Sequence, residues 1–239
     1  MAKSRLSPDI GVHLTLTSEW KKYRWGPVSP AEKVRGLIDN EGKMWHDVPE
    51  VLTHATALEI ETEVRAQIEK VINAGFRPTH IDTHMGTLYG STDYLKVFLK
   101  IALEYNIPAN AIDLSDPVVA DKFRGEGYPI TEQVVEILNQ YHLPKLDNFA
   151  SVPWGSKYEE KRLNFFKLID SLGPGLTEII FHPSVETDNL KTITNSWQQR
   201  VWEASLFSDP EVKKYFSDNG IIITTWKEIM EKYRNQGIK

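Results

Sequence analysis

The residues best placed for chemistry are His80-Ile81-Asp82-Thr83-His84. In an extended strand the side chains at i, i+2 and i+4 share one face, so two imidazoles and a carboxylate point the same way while Ile81 and Thr83 face the other layer. Three polar side chains in line on a parallel strand, ordinarily apolar on both faces, are poorly explained by packing. Histidines satisfied in a core or at a surface are the alternative. The H-x-x-x-H spacing would also suit one face of a zinc-protease helix, but there a Glu follows the first His. Ile81 stands at that position, and Pro78 with β-branched neighbours favours a strand.

His13 lies within Asp9–Thr17, which alternates between Ile10, Val12, Leu14, Leu16 and Gly11, His13, Thr15, Thr17. Period two predicts a strand, with His13 on the small and hydroxylated face. Alone, a strand histidine is more often hydrogen-bonded structure than a ligand. Beside a second strand presenting His84 and Asp82, it completes a set of two imidazoles and a carboxylate. Such a set suits Zn²⁺ or another divalent first-row ion with positions open to water. His182 ends an apolar strand and precedes Pro183. In α/β folds ligands bind beyond the carboxyl ends of strands, which His84 and His182 both occupy. A strand-terminal histidine bonding a nearby carbonyl is the alternative for His182. His46, His54 and His142 fall in loops or at helix ends and look ordinary.

The elements that must carry these residues follow from patterning. Ser18 to Val51 shows no sustained periodicity apart from a short helix after Ser29-Pro30, and its tryptophans mark a functional loop. Thr56-Ala57-Leu58-Glu59 is a capping box, opening a helix through Ile60, Val64, Ile68, Val71 and Ile72 that Gly75 ends. A strand at Thr79–His84 gives way, after Gly86 and Gly90, to a helix over Thr92–Tyr105. Ala111–Leu114 reads as a short strand and Ile130–Tyr141 as a helix. Ser156-Lys157-Tyr158-Glu159 reads as a second capping box, for a helix to Leu172. Glu178–His182 is a strand, Trp197–Leu206 a helix, and Asp209-Pro210 the N-cap and first position of another that Asn219-Gly220 stops. Ile221–Thr224 is the final strand, and Thr225-Trp226-Lys227-Glu228 caps the closing helix. Strands alternating with helices imply an α/β fold with a largely parallel sheet, open or closed to a barrel. No repeat or linker marks a second domain, so residues 1–239 are taken as one.

Composition removes several functions. The net charge is −5, from 28 basic and 33 acidic residues, without the basic stripe of a phosphate-backbone binder, so nucleic acid is not an expected partner. With no cysteine, there is neither disulfide nor thiolate site, and any metal must be held by nitrogen and oxygen. Met1 to Pro8 lacks an apolar stretch behind its charges, and nowhere do 18 apolar residues run together. A cytoplasmic protein without membrane contact is expected. There is no G-x-S-x-G elbow, Walker loop or G-x-G-x-x-G. Gly125-Glu126-Gly127 reads only as a turn.

Gly11-Val12-His13-Leu14-Thr15-Leu16-Thr17, Pro78-Thr79-His80-Ile81-Asp82-Thr83-His84 and Phe181-His182-Pro183 resemble, in order and spacing, motifs of the YdjC-like carbohydrate deacetylases, which include the chitooligosaccharide deacetylases. The resemblance implies a distorted, incomplete (β/α) barrel and metal-dependent removal of N-acetyl groups from amino-sugar oligosaccharides. By motif, it makes His13 and His84 ligands of a divalent ion, Mg²⁺ or Zn²⁺, with His182 as general acid and His80 and Asp82 orienting ligands or substrate. One departure stands out: the family's first strand, ending in an Asp-Asp pair, should lie roughly forty residues upstream of the His13 motif. Asp82 is then the motif carboxylate that could stand in as base, and impaired activity is expected. Trp20, Trp25, Tyr89 and Trp154 lie in loops where aromatic faces could stack on sugar rings, core packing being the alternative for each. With a first strand missing, Asp9–Thr17 becomes a sheet edge, which predicts either self-association into a homo-oligomer or poor stability. The rival readings are a catalytically inactive carbohydrate-binding or interaction protein, and a metal-dependent hydrolase of another amide or ester.

Overall fold

The computed structural model describes residues 8–125 and 127–235. Met1–Ser7, part of the N-terminal stretch without an apolar run, and Glu126 of the Gly-Glu-Gly turn lie outside the described residues. The described strands are β1 (Val12–Leu14), β2 (Ile81–Thr83), β3 (Asn148–Ser151) and β4 (Thr177–Ile180). The α-helices are α1 (Val48–His54), α2 (Ala57–Asn73), α3 (Thr92–Tyr105), α4 (Pro117–Gly125), α5 (Glu132–Gln140), α6 (Tyr158–Ser171), α7 (Asp188–Ile193), α8 (Trp197–Leu206), α9 (Pro210–Asp218) and α10 (Trp226–Asn235). None of the described helices is long and apolar enough to cross a membrane. The fold is mixed α/β with two short sheets, β1–β2 and β3–β4, and both pairings are parallel.

The chain gathers into two compact units, one of residues 1–19, 23–145 and 225–239, the other of residues 20–22 and 146–224. In the first, β1 and β2 pair with Val12 opposite Ile81, His13 opposite Asp82 and Leu14 opposite Thr83. Val12, Leu14 and Ile81 are buried beside Ile60, Val64 and Ile68 of α2 and Leu95, Phe98 and Ile101 of α3. The two helices form where the sequence starts and stops them. The Thr56 hydroxyl accepts from Glu59 N–H while Glu59 accepts from Thr56 N–H, closing the capping box. Ser91 caps α3, and Asn106 ends it in the left-handed conformation at φ 52°.

Helix α2 also organises the long segment before it. Glu59 accepts from Gly36 N–H at 2.7 Å. One turn later, the fully buried Glu63 accepts from Val28 N–H at 2.8 Å and Ser29 N–H at 2.9 Å. Gln67, the next turn again, accepts from Thr15 N–H at 2.9 Å and donates to Thr15 C=O at 2.7 Å. Its amide thus pairs with both backbone groups of the residue that follows β1, much as a neighbouring strand would.

In the second unit, Val152, just beyond β3, forms a core with Phe165 and Ile169 of α6, Leu206 of α8 and Val212 of α9, and Ile179 of β4 packs against it. Asp209 caps α9, with Pro210 as its first residue, as the sequence requires.

Some sequence expectations are corrected. The strands are shorter than their alternating segments, three residues in place of Asp9–Thr17 and of Thr79–His84. Ala111–Leu114 forms no strand, Ile112 within it making a bridge only, as the neighbouring Ala109 does to Ile81. Ile221–Thr224 is not a strand either, and Ile222 and Ile223 are strongly exposed. The box at Ser156 is displaced: Lys157 is the N-cap, and Ser156 N–H reaches Glu160 at 2.7 Å instead of Glu159. Ile72 of α2 is exposed. Helices α1, α4 and α7 and strand β3 are not anticipated by the sequence reading; α1 starts at Asp47, whose side chain accepts from Glu50 N–H.

Candidate functional site

Parallel register sets His13 directly opposite Asp82, and the alternation that buries Val12 and Leu14 turns His13 outward. His13 Nδ1 lies 2.9 Å from Asp82 Oδ1. His84 follows the last residue of β2, and the chain then turns sharply, with Met85 at φ 54° and Gly86 at φ 67°, both left-handed. This turn, rather than a continued strand, places His84 Nδ1 3.0 Å from His13 Nε2, with the two rings edge to face at 77°. His84 Nε2 in turn lies 3.1 Å from Glu19 Oε2. The result is a linear array, Asp82–His13–His84–Glu19.

The array has a definite electrostatic requirement. An ionised carboxylate only accepts, so His13 Nδ1–H donates to Asp82 and His84 Nε2–H donates to Glu19. If both rings are neutral, the two inner nitrogens then meet as facing lone pairs 3.0 Å apart. A proton on one ring, or a cation bound by both nitrogens, would relieve that repulsion. Two imidazoles on one Zn²⁺, at about 2.0–2.1 Å each and near-tetrahedral or right angles, would have nitrogens roughly 2.9–3.4 Å apart. Histidine ligands also commonly donate their second N–H to a carboxylate, as both do here. No group of three or more His, Asp or Glu among the described residues is arranged to hold a metal ion by itself. The donor set therefore fits two ligands of an ion and not a complete cage.

His80 shares the strand but not the array. Its ring lies over Gly11, where an added Cβ would fall 2.2 Å from His80 Nε2, and stacks on Trp226 with ring centres 5.8 Å apart. Burial holds its pKa below the ordinary 6.5, against the opposing charges of Asp82 and Asp9. Trp25 lines a largely apolar pocket of about 360 Å³ with Val12, Val28, Met44, Glu63 and Gln67; His13, Asp82 and His84 are not among its lining residues. Trp20 belongs to the second unit, where the Arg200 guanidinium lies 5.6 Å above its ring.

His182 is likewise in the second unit, two residues beyond β4 and exposed. Its backbone N–H donates to Glu203 Oε2 at 2.5 Å, while Glu203 Oε1 pairs with Lys161 Nζ at 3.0 Å. Sequence reasoning thus found His13, Asp82 and His84 as a group and missed Glu19. The only signal for Glu19 is a carboxylate a few residues beyond the end of the His13 strand, in a segment without periodicity.

A family model described as YdjC-like protein matches residues 1–218. A carbohydrate deacetylase of Thermus thermophilus is 29% identical over 225 residues, covering 93% of this chain and 78% of the relative. One of Thermoanaerobacter pseudethanolicus is 28% identical over 221 residues, covering 92% and 78%. Among solved structures, a crystal structure from Enterococcus faecalis V583, described as a candidate cellobiose-phosphate cleavage protein, superposes with a TM-score of 0.71 at 24% identity, covering 92% of this chain and 77% of that one. That last likeness concerns the fold.

Proposed function

Because the chain belongs to the YdjC-like family, we propose that it is a carbohydrate deacetylase that hydrolyses the N-acetyl amide of amino-sugar oligosaccharides with the help of a divalent ion. The observation that carries this reading is the Asp82–His13–His84–Glu19 array, whose two inner nitrogens lie 3.0 Å apart, a spacing that two imidazole ligands of one ion would have. The names of the curated relatives support the substrate class, and the parallel pairing of both sheets suits the distorted, incomplete (β/α) barrel expected of the family.

His13 and His84 would hold the ion, Mg²⁺ or Zn²⁺. Such an ion, when bound, polarises a carbonyl and lowers the pKa of a water. The rest of the work falls to side chains. Asp82 and Glu19 fix the tautomers of His13 and His84, so that each presents a lone pair to the site. The 2.9 Å contact to His13 favours orientation as the main role of Asp82, with proton acceptance from water as its second. His182, exposed beyond β4, would hold a ring proton for the departing amine, a role typically contributing about 10²–10⁴-fold. His80 contributes by packing beneath Gly11 and against Trp226. Trp20 and Trp25 remain candidates for sugar stacking, each already engaged with protein neighbours.

Released acetate, measured on chitooligosaccharides with added Zn²⁺ or Mg²⁺, tests the reading. Turnover by the native protein that is lost in His13→Ala and His84→Ala supports it. Bound sugar without acetate release in any metal would favour the non-catalytic binding reading.

A further inference from the structure

Lys161 is fully buried, and its ammonium makes three contacts: Pro153 C=O at 2.9 Å, Gln199 Oε1 at 3.1 Å and Glu203 Oε1 at 3.0 Å. Glu203 is nearly as buried, with 8% of its side chain exposed. Its two oxygens divide between two donors, Oε1 to Lys161 and Oε2 to the backbone N–H of His182. Gln199, one turn before Glu203 on α8, accepts from Gly155 N–H at 3.3 Å and donates to Gly155 C=O at 2.7 Å. A Cβ on Gly155 would lie 2.4 Å from Lys161 N, so this turn packs directly on the first turn of α6.

A buried ion pair is not explained by stability, because well-packed apolar residues of similar volume serve a core as well or better. What apolar residues could not supply is an anionic acceptor for His182 N–H, and hydrogen bonds to ionised groups are short and about twice as strong as neutral ones. The Lys161 ammonium in turn fixes the Glu203 carboxylate through its contact with Oε1. Through Pro153 and Gln199 the same ammonium secures the turn that carries Trp154, a residue 65% exposed.

We infer that Lys161 and Glu203 are a positioning pair that sets the backbone, and hence the ring, of His182 for proton donation to the leaving amine. This inference rests on the deacetylase reading for the role of His182, but not for the geometry. Neither residue touches substrate, so their effect should appear only where placement of His182 matters. An error of about 1 Å in a reacting group costs on the order of 10²-fold.

Two double variants separate positioning from stability. Lys161→Met with Glu203→Gln removes both charges but leaves an amide oxygen to accept from His182 N–H. Lys161→Met with Glu203→Leu removes both charges and the acceptor. Each lacks a buried unpaired charge, and both lose the Pro153 contact equally. The Leu variant should lose about 10–100-fold in kcat on an N-acetylated oligosaccharide, with KM changed less than threefold. It should keep its rate on an acetate ester whose phenolate leaving group needs no proton. The Gln variant should recover most of the amide rate. In parallel, hydrogen exchange of the peptide spanning residues 181–184, followed by mass spectrometry without substrate, should be fast in the Leu variant and slow in the Gln variant. Equal amide-to-ester ratios in the two variants, or equal exchange of that peptide, would overturn the inference. If the native protein hydrolyses esters but no amide, the deacetylase reading fails while the exchange comparison still decides the positioning. Glu203→Gln alone gives a further check, since Lys161 and His182 then compete for one oxygen and the amide rate should fall between those of the two double variants.

Discussion

Replacing Glu19 by Gln should weaken divalent-ion binding more than replacing Asp82 by Asn. Both carboxylates accept from the outer N–H of an imidazole whose inner nitrogen faces the site, and loss of such partners typically lowers metal affinity about 10–100-fold, or about 1.4–2.7 kcal/mol. The structure divides that range. The His13 side chain is 48% exposed, so water can take over as acceptor when Asp82 is altered, whereas the His84 side chain is 18% exposed. The contact at Asp82 is shorter, 2.9 against 3.1 Å, but that difference changes the Coulomb term by less than roughly a tenth. Access to water is the larger effect. Asp82→Asn should therefore lose about tenfold and Glu19→Gln nearer a hundredfold. Titration calorimetry with Zn²⁺ at fixed pH, on variants shown to be folded by circular dichroism, measures both. Affinities within twofold of the native protein for both variants, or the reverse order, would refute the reasoning.

Gly11→Ala should destabilise by about 1–3 kcal/mol, as overpacking does, because the new methyl would displace the His80 ring from Trp226; the midpoint of urea unfolding reads this directly. His80 is held below its ordinary pKa of 6.5 by burial, so its stabilising contribution is complete above about pH 6.5 and is lost as pH falls through the lower folded value. Unfolding midpoints at pH 7.5 and pH 5 should differ less in His80→Asn than in the native protein, and an unchanged difference would count against this assignment. Gln67→Leu strips the partner from Thr15 N–H and C=O, which should cost about 1–3 kcal/mol if no water replaces it. The same change should promote self-association through the uncovered edge, visible as concentration-dependent mass by light scattering.

What the sequence made legible was local or periodic. The helices at Thr92–Tyr105 and Trp197–Leu206 stand where the sequence places them, and for the first the apolar spacing that shows it is contained within the helix itself. His13, Asp82 and His84 were grouped because side-chain alternation in two strands survives even when the strands themselves are short. Features that depend on a partner were not legible. Ile221–Thr224 has the β-branched composition of a strand, but a strand exists only as part of a ladder with another segment, and these four residues are not in one. The capping box at Ser156 failed because Glu160, one residue later, competes for the same donors. Glu19 comes from a segment with no repeat to betray its direction. Lys161 and Glu203 were missed for another reason: charged residues on amphipathic helices are ordinarily solvated, and nothing in their spacing announces burial.

The carboxylates on α2 bear on how this protein comes apart. Glu59 and Glu63 lie one turn apart and together hold the backbone of Gly36, Val28 and Ser29. The segment before α1 looks irregular, and irregular segments are ordinarily the first to open and the first to be cut by proteases. Here its opening would strip the fully buried Glu63 carboxylate of its two backbone donors and leave it the Gln67 amide alone among the three. The segment and the helix therefore belong to one cooperative unfolding unit. Nicking between residues 26 and 36 should follow the melting of α2 and not precede it, so a stretch with little regular structure inherits the persistence of a five-turn helix.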